Sequence, residues 1–198
     1  MDEIINQNAR AVRKSVQVVT EVREGDLSRP TPCAGWTLAD LLTHMTVQHN
    51  GFAAAAKGEG ADLSHWQPGR LDRSRLVSEY TQAADRVLGA FAADGVIDRE
   101  FCLPEIPIRP LFPARQAIGF HLVDYVAHGW DVARSIGLDY DADQDVLDAA
   151  LIIARAVPDD DRRGKPGSAF ARRIESASDK PLDRTLTLLG RDPAWRPA

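Results

Sequence analysis

Histidine and aspartate residues recur at helical spacing between positions 121 and 131. Asp124 and His128 lie four residues apart, and His121 and Asp131 extend the same stripe by three residues at either end. Residues three and four apart share one face of an α-helix, so a carboxylate and an imidazole at this spacing can hold one metal ion between them. The surrounding residues are mostly apolar, and unpaired polar groups buried among them would be costly. The stripe therefore indicates either a metal site or side chains that pair with one another.

A third candidate ligand, His44, lies in a separate apolar segment beside Leu41, Leu42 and Met45. Two histidines and one carboxylate would leave a coordination position open for water or a substrate, as in catalytic zinc sites. A second interpretation stays open from spacing alone: His44 as a buried core histidine, and Asp124 with His128 as an ordinary helix ion pair. Nothing in the spacing brings the two segments together.

Helices must position these residues, because apolar side chains recur every three or four positions along most of the chain. The pattern predicts a first helix from about Ile5 to Val19, with Gly25 as its C-terminal cap. A second helix begins at Thr37, whose hydroxyl forms a capping box with Asp40, and it ends near residue 58. Further helices are predicted over residues 76–91, 113–137, 143–156 and 182–190.

Residues 94–112 contain Pro104, Pro107 and Pro110, which would break a helix, so we expect an extended segment there. The predicted fold is all-α: an up-and-down four-helix bundle with a short extra helix and an irregular C-terminal tail. We expect a single domain over residues 1–198, with its core over about 1–156 and the tail over 157–198.

Composition excludes several classes of protein. The formal net charge of −5 argues against a nucleic-acid-binding surface. No apolar run approaches the roughly 20 residues that cross a bilayer, and the acidic N-terminus lacks the basic and apolar regions of a signal peptide. Cys33 and Cys102 lie far apart and suggest neither a disulfide framework nor a metal knuckle. We therefore expect a cytoplasmic protein with no nucleic-acid or membrane partner.

Two segments carry a family resemblance. Residues 31–44, TPCAGWTLADLLTH, resemble the TPC-x-GW-T-x-x-DLL-x-H segment of the mycothiol-dependent maleylpyruvate isomerase N-terminal family, part of the DinB-like group of metal-binding four-helix bundles. Residues 121–134, HLVDYVAHGWDVAR, are similar to the H-x-x-D/E-x-x-x-HGWD-x-A-R helix of that family. Residues 188–193, LLGRDP, resemble the end of a shorter actinobacterial-type subfamily.

The resemblance implies a divalent metal, commonly zinc and alternatively nickel, bound by His44, Asp124 and His128. It implies a thiol cofactor such as mycothiol or bacillithiol, a small electrophile as substrate, and a transferase or isomerase-like reaction. His121 and Asp131 become candidates for orienting the ligands. Residues 157–198 show no βαβ pattern, whereas the family's isomerase has an additional C-terminal α/β domain, so maleylpyruvate isomerisation itself is not expected.

Two alternative functions remain. One is a metal-dependent hydrolase, in which Asp131 or His121 is the catalytic proton acceptor. The other is a non-catalytic bundle that serves as a binding or dimerisation module, and we expect a homodimer. Trp36 is interpreted as core packing, and Cys33 as a residue that fixes the loop before the second helix.

Overall fold

Four long helices form the body of the computed structural model, which describes residues 2–69, 72–106, 110–161, 163–165 and 170–197. Pro107, part of the predicted extended segment, lies outside these ranges. The predicted all-α bundle is confirmed. Its α-helices within the described ranges are α1 Glu3–Val19, α2 Leu38–Ala56, α3 Leu76–Phe91, α4 Ala114–Ser135, α5 Gln144–Ala156 and α6 Pro181–Leu188.

Contacts between residues at equivalent positions along neighbouring helices show the helix directions of the bundle. Asp2, which caps α1, pairs with Arg115 at the start of α4, and Asn8 hydrogen-bonds His121 one to two turns further along both helices. α1 and α4 are therefore parallel. α2 is antiparallel to α4, because Met45 accepts a hydrogen bond from Tyr125, whereas His49 meets the earlier His121.

The third helix runs in the same direction as α2. Tyr80, near the start of α3, contacts Ser15 near the end of α1 at 2.5 Å. Phe91, the last residue of α3, contacts His121 near the start of α4, with ring centroids 5.2 Å apart. The directions along the chain are thus up, down, down, up, so the predicted alternation of helix directions is interrupted between α2 and α3.

Local signals set the ends of α2, the helix that carries His44. The Thr37 hydroxyl accepts from the Asp40 amide at 3.3 Å, and the Asp40 carboxylate accepts from the Thr37 amide at 2.9 Å. The predicted capping box is therefore confirmed, and α2 ends two residues before Gly58 as expected. The prediction for Gly25 was wrong. α1 ends at Val19, and the Thr20 amide caps it by donating to the Val16 carbonyl.

An antiparallel hairpin lies within the connection between α3 and α4. Its strands are β1 Glu100–Cys102 and β2 Leu111–Pro113, with Phe101 opposite Phe112. Phe101 is fully buried and packs against Phe91, with ring centroids 5.8 Å apart. The extended conformation predicted for residues 94–112 is confirmed at β1 and β2, whereas Val96–Asp98 forms a short 3-10 helix.

The C-terminal segment packs onto the bundle. Residues 171–180 have no regular secondary structure, as the sequence predicted. The helix that follows, α6, packs against α5, and Leu186 and Leu189 are fully buried in the main core. Among the described helices, none combines the length and the apolar character required to cross a bilayer.

Candidate metal centre

The structure brings together the three side chains that the sequence singles out as metal ligands. Because α2 and α4 are antiparallel neighbours, His44 lies opposite Asp124 and His128, and one ligand atom from each side chain lies within 4.8 Å of the others. Nε2 of His128 is 3.4 Å from Oδ1 of Asp124. The His44 and His128 rings meet edge to face, with centroids 5.2 Å apart. This arrangement can surround one cation from three sides.

His44 and Asp124 are the partly exposed members of the cluster. The Trp36 ring lies beside the His44 ring, with centroids 5.0 Å apart. Among the described residues, neither imidazole nitrogen of His44 has a hydrogen-bond partner. Burial and the nearby His128 lower the pKa of His44 to about 4. At neutral pH the His44 ring is therefore uncharged and has a lone pair available for a ligand.

His128 is oriented by a second carboxylate. Its Nδ1–H donates to Oδ2 of Asp131 at 2.9 Å, which leaves Nε2 directed toward Asp124. Burial disfavours the charged ring, but Asp124, the hydrogen bond to Asp131 and the adjacent Cys33 outweigh it and raise the pKa of His128 to about 10. A cation bound between His128 and Asp124 would therefore take the place of a proton.

Asp131 is in turn paired with Arg191, which follows α6. The Nε–H of Arg191 donates to both carboxylate oxygens of Asp131, at 3.1 and 3.0 Å, and both side chains are buried. Burial alone would raise the pKa of Asp131, but Arg191 and the His128 hydrogen bond lower it below its ordinary value. The Cys33 thiol also donates to Oδ2 of Asp131, at 3.2 Å. Asp131 is thus a buried carboxylate that holds three groups in place.

His121, the other predicted catalytic residue, belongs to a different cluster. Its Nδ1 lies 2.8 Å from Nδ2 of Asn8, and its Nε2 lies 3.1 Å from Nδ1 of His49. The His121 ring is fully buried and stacks on Tyr125, with centroids 4.3 Å apart. Burial lowers the pKa of His121 to about 3, so this ring is neutral. The stripe on α4 therefore splits into two polar networks, and a catalytic role for His121 stays a prediction.

An open groove of about 420 Å³ is lined by His44, Trp36 and Trp66, among other residues. Gln48 and Glu105 lie along it and are joined by a 2.8 Å hydrogen bond. This volume lies within the range of small-molecule sites. The interpretation of Trp36 as core packing was wrong, because the side chain is 37% exposed. The preceding Gly35 has a φ of 81°, and this turn places the indole beside His44 at the surface.

Sequence reasoning missed two residues that shape these networks, Arg191 and His49. Arg191 follows a short apolar helix and a glycine, where helical periodicity gives no reason to expect a buried charge. The resemblance over residues 188–193 was the available signal, and it assigned no role. His49 lies five residues after His44 and therefore does not share its helix face; its ring stacks on Tyr125, with centroids 3.9 Å apart.

Comparison with known proteins identifies the relationship. The family model described as the mycothiol maleylpyruvate isomerase N-terminal domain matches residues 9–133, a segment that includes all three candidate ligands. This chain belongs to that family. The mycothiol maleylpyruvate isomerase N-terminal domain family does not account for the C-terminal segment, since the match ends before Arg191.

Relatives and solved structures extend the comparison. Two uncharacterised proteins of Mycobacterium tuberculosis, from strains H37Rv and CDC 1551, are 30% identical to this chain over 189 residues, covering 92% of it and 94% of each relative. Crystal structures of mycothiol-dependent maleylpyruvate isomerase and of a histidine-to-alanine mutant superpose with TM-scores of 0.52 and 0.58. Both are 14% identical, covering 78% of this chain and 67% of theirs, so they establish the shared DinB-like fold.

Proposed function

We propose that His44, Asp124 and His128 bind one divalent metal ion, zinc or alternatively nickel, and that the bound metal activates a low-molecular-weight thiol for attack on a small electrophile. Mycothiol is the thiol that the family suggests. The observation that carries the proposal is the convergence of these three side chains beside an open groove. The proposed reaction class is a transferase or isomerase-like addition of the thiol.

The residues present fit such a metal. Two imidazoles and one carboxylate form a common ligand set of catalytic zinc, and they leave a position for an external ligand. His44 faces the other two side chains with both of its ring nitrogens lacking hydrogen-bond partners in the described part of the chain. Nδ1 of His128 is held by Asp131, an arrangement that commonly orients metal-bound histidines. The donor chemistry and its supporting contacts therefore favour a cation.

In this proposal, the metal ligands and the residues around them have separate roles. Bound to this set, the metal would stabilise the thiolate form of the cofactor, which is the nucleophilic form. Asp131 keeps the Nε2 of His128 directed at Asp124, and Trp36 forms one wall of the groove through which substrate reaches His44. The Cys33 thiol donates to Asp131, so the proposed nucleophile is the cofactor and not this residue.

The alternatives receive less support from the geometry. A hydrolase that uses Asp131 or His121 as proton acceptor requires substrate access, and both side chains are fully buried. A non-catalytic binding or dimerisation module would not require two imidazoles and a carboxylate to converge beside the groove. A thiol cofactor requires a reducing compartment, so the proposal includes a cytoplasmic location. The homodimer stays a prediction, which size-exclusion chromatography with light scattering would test.

Metal content is the decisive measurement. We expect the wild-type chain, purified without a histidine tag, to contain about one zinc or nickel ion per chain by elemental analysis, consistent with a three-residue site. His44→Ala should lose it, because one of the three donors is gone. The matched control is His65→Ala, which removes a partly exposed histidine beyond α2 and should leave metal content unchanged.

The thiol is tested on the same samples. Adding mycothiol to the cobalt-substituted wild-type chain should produce a sulfur-to-cobalt charge-transfer absorption, and His44→Ala should show none. Absence of metal in wild type, even after reconstitution, would contradict the whole proposal. Metal binding without any spectral response to the thiol would contradict its cofactor half.

A further inference from the structure

Two sets of side chains that could bind a metal ion share His128. The first set is His44, Asp124 and His128; the second is Cys33, Asp131 and His128, and in each set the ligand atoms lie within 4.8 Å of one another. The imidazole offers a different nitrogen to each, since Nε2 faces Asp124 and Nδ1 faces Asp131. The second set contains a sulfur donor, which soft metals and zinc prefer. Ligand chemistry alone therefore does not explain why a metal would bind at the first set.

Arg191 contacts every member of the second set. Its Nε–H donates to both oxygens of Asp131 at 3.0 and 3.1 Å, and its Nη2 lies 3.6 Å from the Cys33 sulfur and 3.5 Å from Nδ1 of His128. A guanidinium is charged at all physiological pH values, so a permanent cation already lies among these donors. A metal ion entering there would meet its repulsion at short range.

The C-terminal segment holds this arginine in place. Nη1 of Arg191 donates to the Leu189 carbonyl at 3.2 Å, and Leu186 and Leu189 are buried in the main core. Gly190 turns the chain with a φ of 77°, and a Cβ there would lie 2.7 Å from Ala171. The packed backbone around Arg191 therefore fixes the position of its guanidinium, unlike that of an arginine free at the surface.

We propose that Arg191 is a positioning residue that decides which of the two donor sets binds the metal. It occupies the cation position among Cys33, Asp131 and His128, and it keeps Asp131 as a hydrogen-bond acceptor, so that His128 presents Nε2 to the first set. The inference rests on the proposed function, because it presumes that the chain binds a metal. It assigns to the C-terminal segment a part in metal selection.

Cobalt absorption distinguishes the two sets, since only the second supplies a protein sulfur. Cobalt-loaded wild type without added thiol should lack a sulfur-to-cobalt charge-transfer band. Arg191→Met should gain that band, lose it again when combined with Cys33→Ser, and bind cadmium relative to zinc at least about tenfold more tightly than wild type does. Arg191→Lys keeps the charge and should lack the band. The matched control is Arg172→Met, which removes an exposed arginine paired with Asp161 in the same segment.

The outcomes separate this inference from the proposed function. Failure of wild type to bind cobalt contradicts the proposed function. A charge-transfer band in wild type, or an Arg191→Met protein that binds cobalt as wild type does, overturns the role of Arg191. If Arg191→Met does not fold, Cys33→Ser in the otherwise unchanged chain decides the question. If the Cys33→Ser protein binds cobalt within about twofold of the wild-type affinity, the inference is supported. If its cobalt affinity falls about tenfold or more, the inference is overturned.

Discussion

His121 and His128 are two buried histidines on the same helix that meet opposite electrostatic surroundings. His128 lies between the carboxylates of Asp124 and Asp131, which outweigh the cost of burial and raise its pKa to about 10. His121 has Asn8 and His49 as polar neighbours, and burial lowers its pKa to about 3. Shared helical spacing therefore does not imply a shared role, because each imidazole takes its protonation state from side chains on other helices.

His49 and His121 form a buried pair of neutral histidines, which should make the fold sensitive to acid. The pKa of His121 falls from 6.5 to about 3 on folding, so the unfolded chain binds more protons between these values. The contribution of each such histidine to the free energy of unfolding should be fully present above pH 6.5. It should decrease as the pH falls, by up to about 1.4 kcal/mol per pH unit. His121→Asn should flatten the urea-derived stability curve between pH 6 and 4.5, measured with a chelator present.

His65→Asn is the control for that comparison, because it removes a histidine whose side chain is 38% exposed. Its stability curve should run parallel to that of wild type. If the His121→Asn curve is also parallel to wild type, the buried pair does not set the acid sensitivity. A constant offset between the stability curves of His121→Asn and wild type reports only lost packing. The slope of each curve against pH is therefore the criterion.

At the scale of the elements, α2 positions the candidate site through contacts at both of its ends. The capping box at Thr37 sets where the helix begins, and therefore which residues face α4. Near the other end, the Trp66 ring lies directly on Gly51 and donates its indole N–H to the Gly60 carbonyl at 2.9 Å. Trp66 also lines the groove beside His44, so this contact joins the packing of α2 to the shape of the groove.

Gly51→Ala should disturb that contact. The added Cβ would lie 2.3 Å from the Trp66 ring, so the ring or the helix must move, and overpacking of this kind costs about 1–3 kcal/mol. Chemical denaturation should show the loss. Gly89→Ala on α3 is the matched control, because no atom lies within 4 Å of its added Cβ and alanine favours helix by about 1 kcal/mol. Equal stability changes for the two substitutions would contradict the assigned contact.

At the scale of the whole molecule, the C-terminal segment completes both the core and the hydrogen-bond network behind the candidate metal centre. Leu186 on α6 is fully buried in the same cluster as residues of α1, α2 and α4. Arg163 strengthens the attachment by donating to the Pro158, Ala171 and Leu188 carbonyls. The segment that ends at Arg191 is therefore held by burial of apolar surface and by a buried cation that satisfies backbone oxygens.

Leu186→Ala tests that attachment. Removing a fully buried leucine side chain should lower the free energy of unfolding by about 2–5 kcal/mol, from lost burial and the cavity left behind. Ile152→Ala on α5 is the control, because its side chain is 67% exposed and its loss should change stability by less than about 0.5 kcal/mol. A Leu186→Ala protein as stable as Ile152→Ala would mean that the C-terminal segment is not part of the cooperative fold.

Local regularities let the sequence by itself determine the helices and the three ligand candidates. The capping box at Thr37, the apolar period of α4 and the Asp124–His128 spacing are all properties of residues close together in the chain. Family motifs added the association of His44 with the other two. These features are predictable because hydrogen bonds within one helix turn depend on neighbours in sequence.

Only the tertiary structure decided the remaining features, because they depend on residues far apart in the chain. Helix direction follows from contacts such as Asn8 with His121, which periodicity does not encode. The exposure of Trp36 depends on where the loop meets α2, and the burial of Arg191 depends on a carboxylate 60 residues earlier. A buried charge is stable only beside its partner, so Arg191 and Asp131 acquire their roles when the folded chain brings them together.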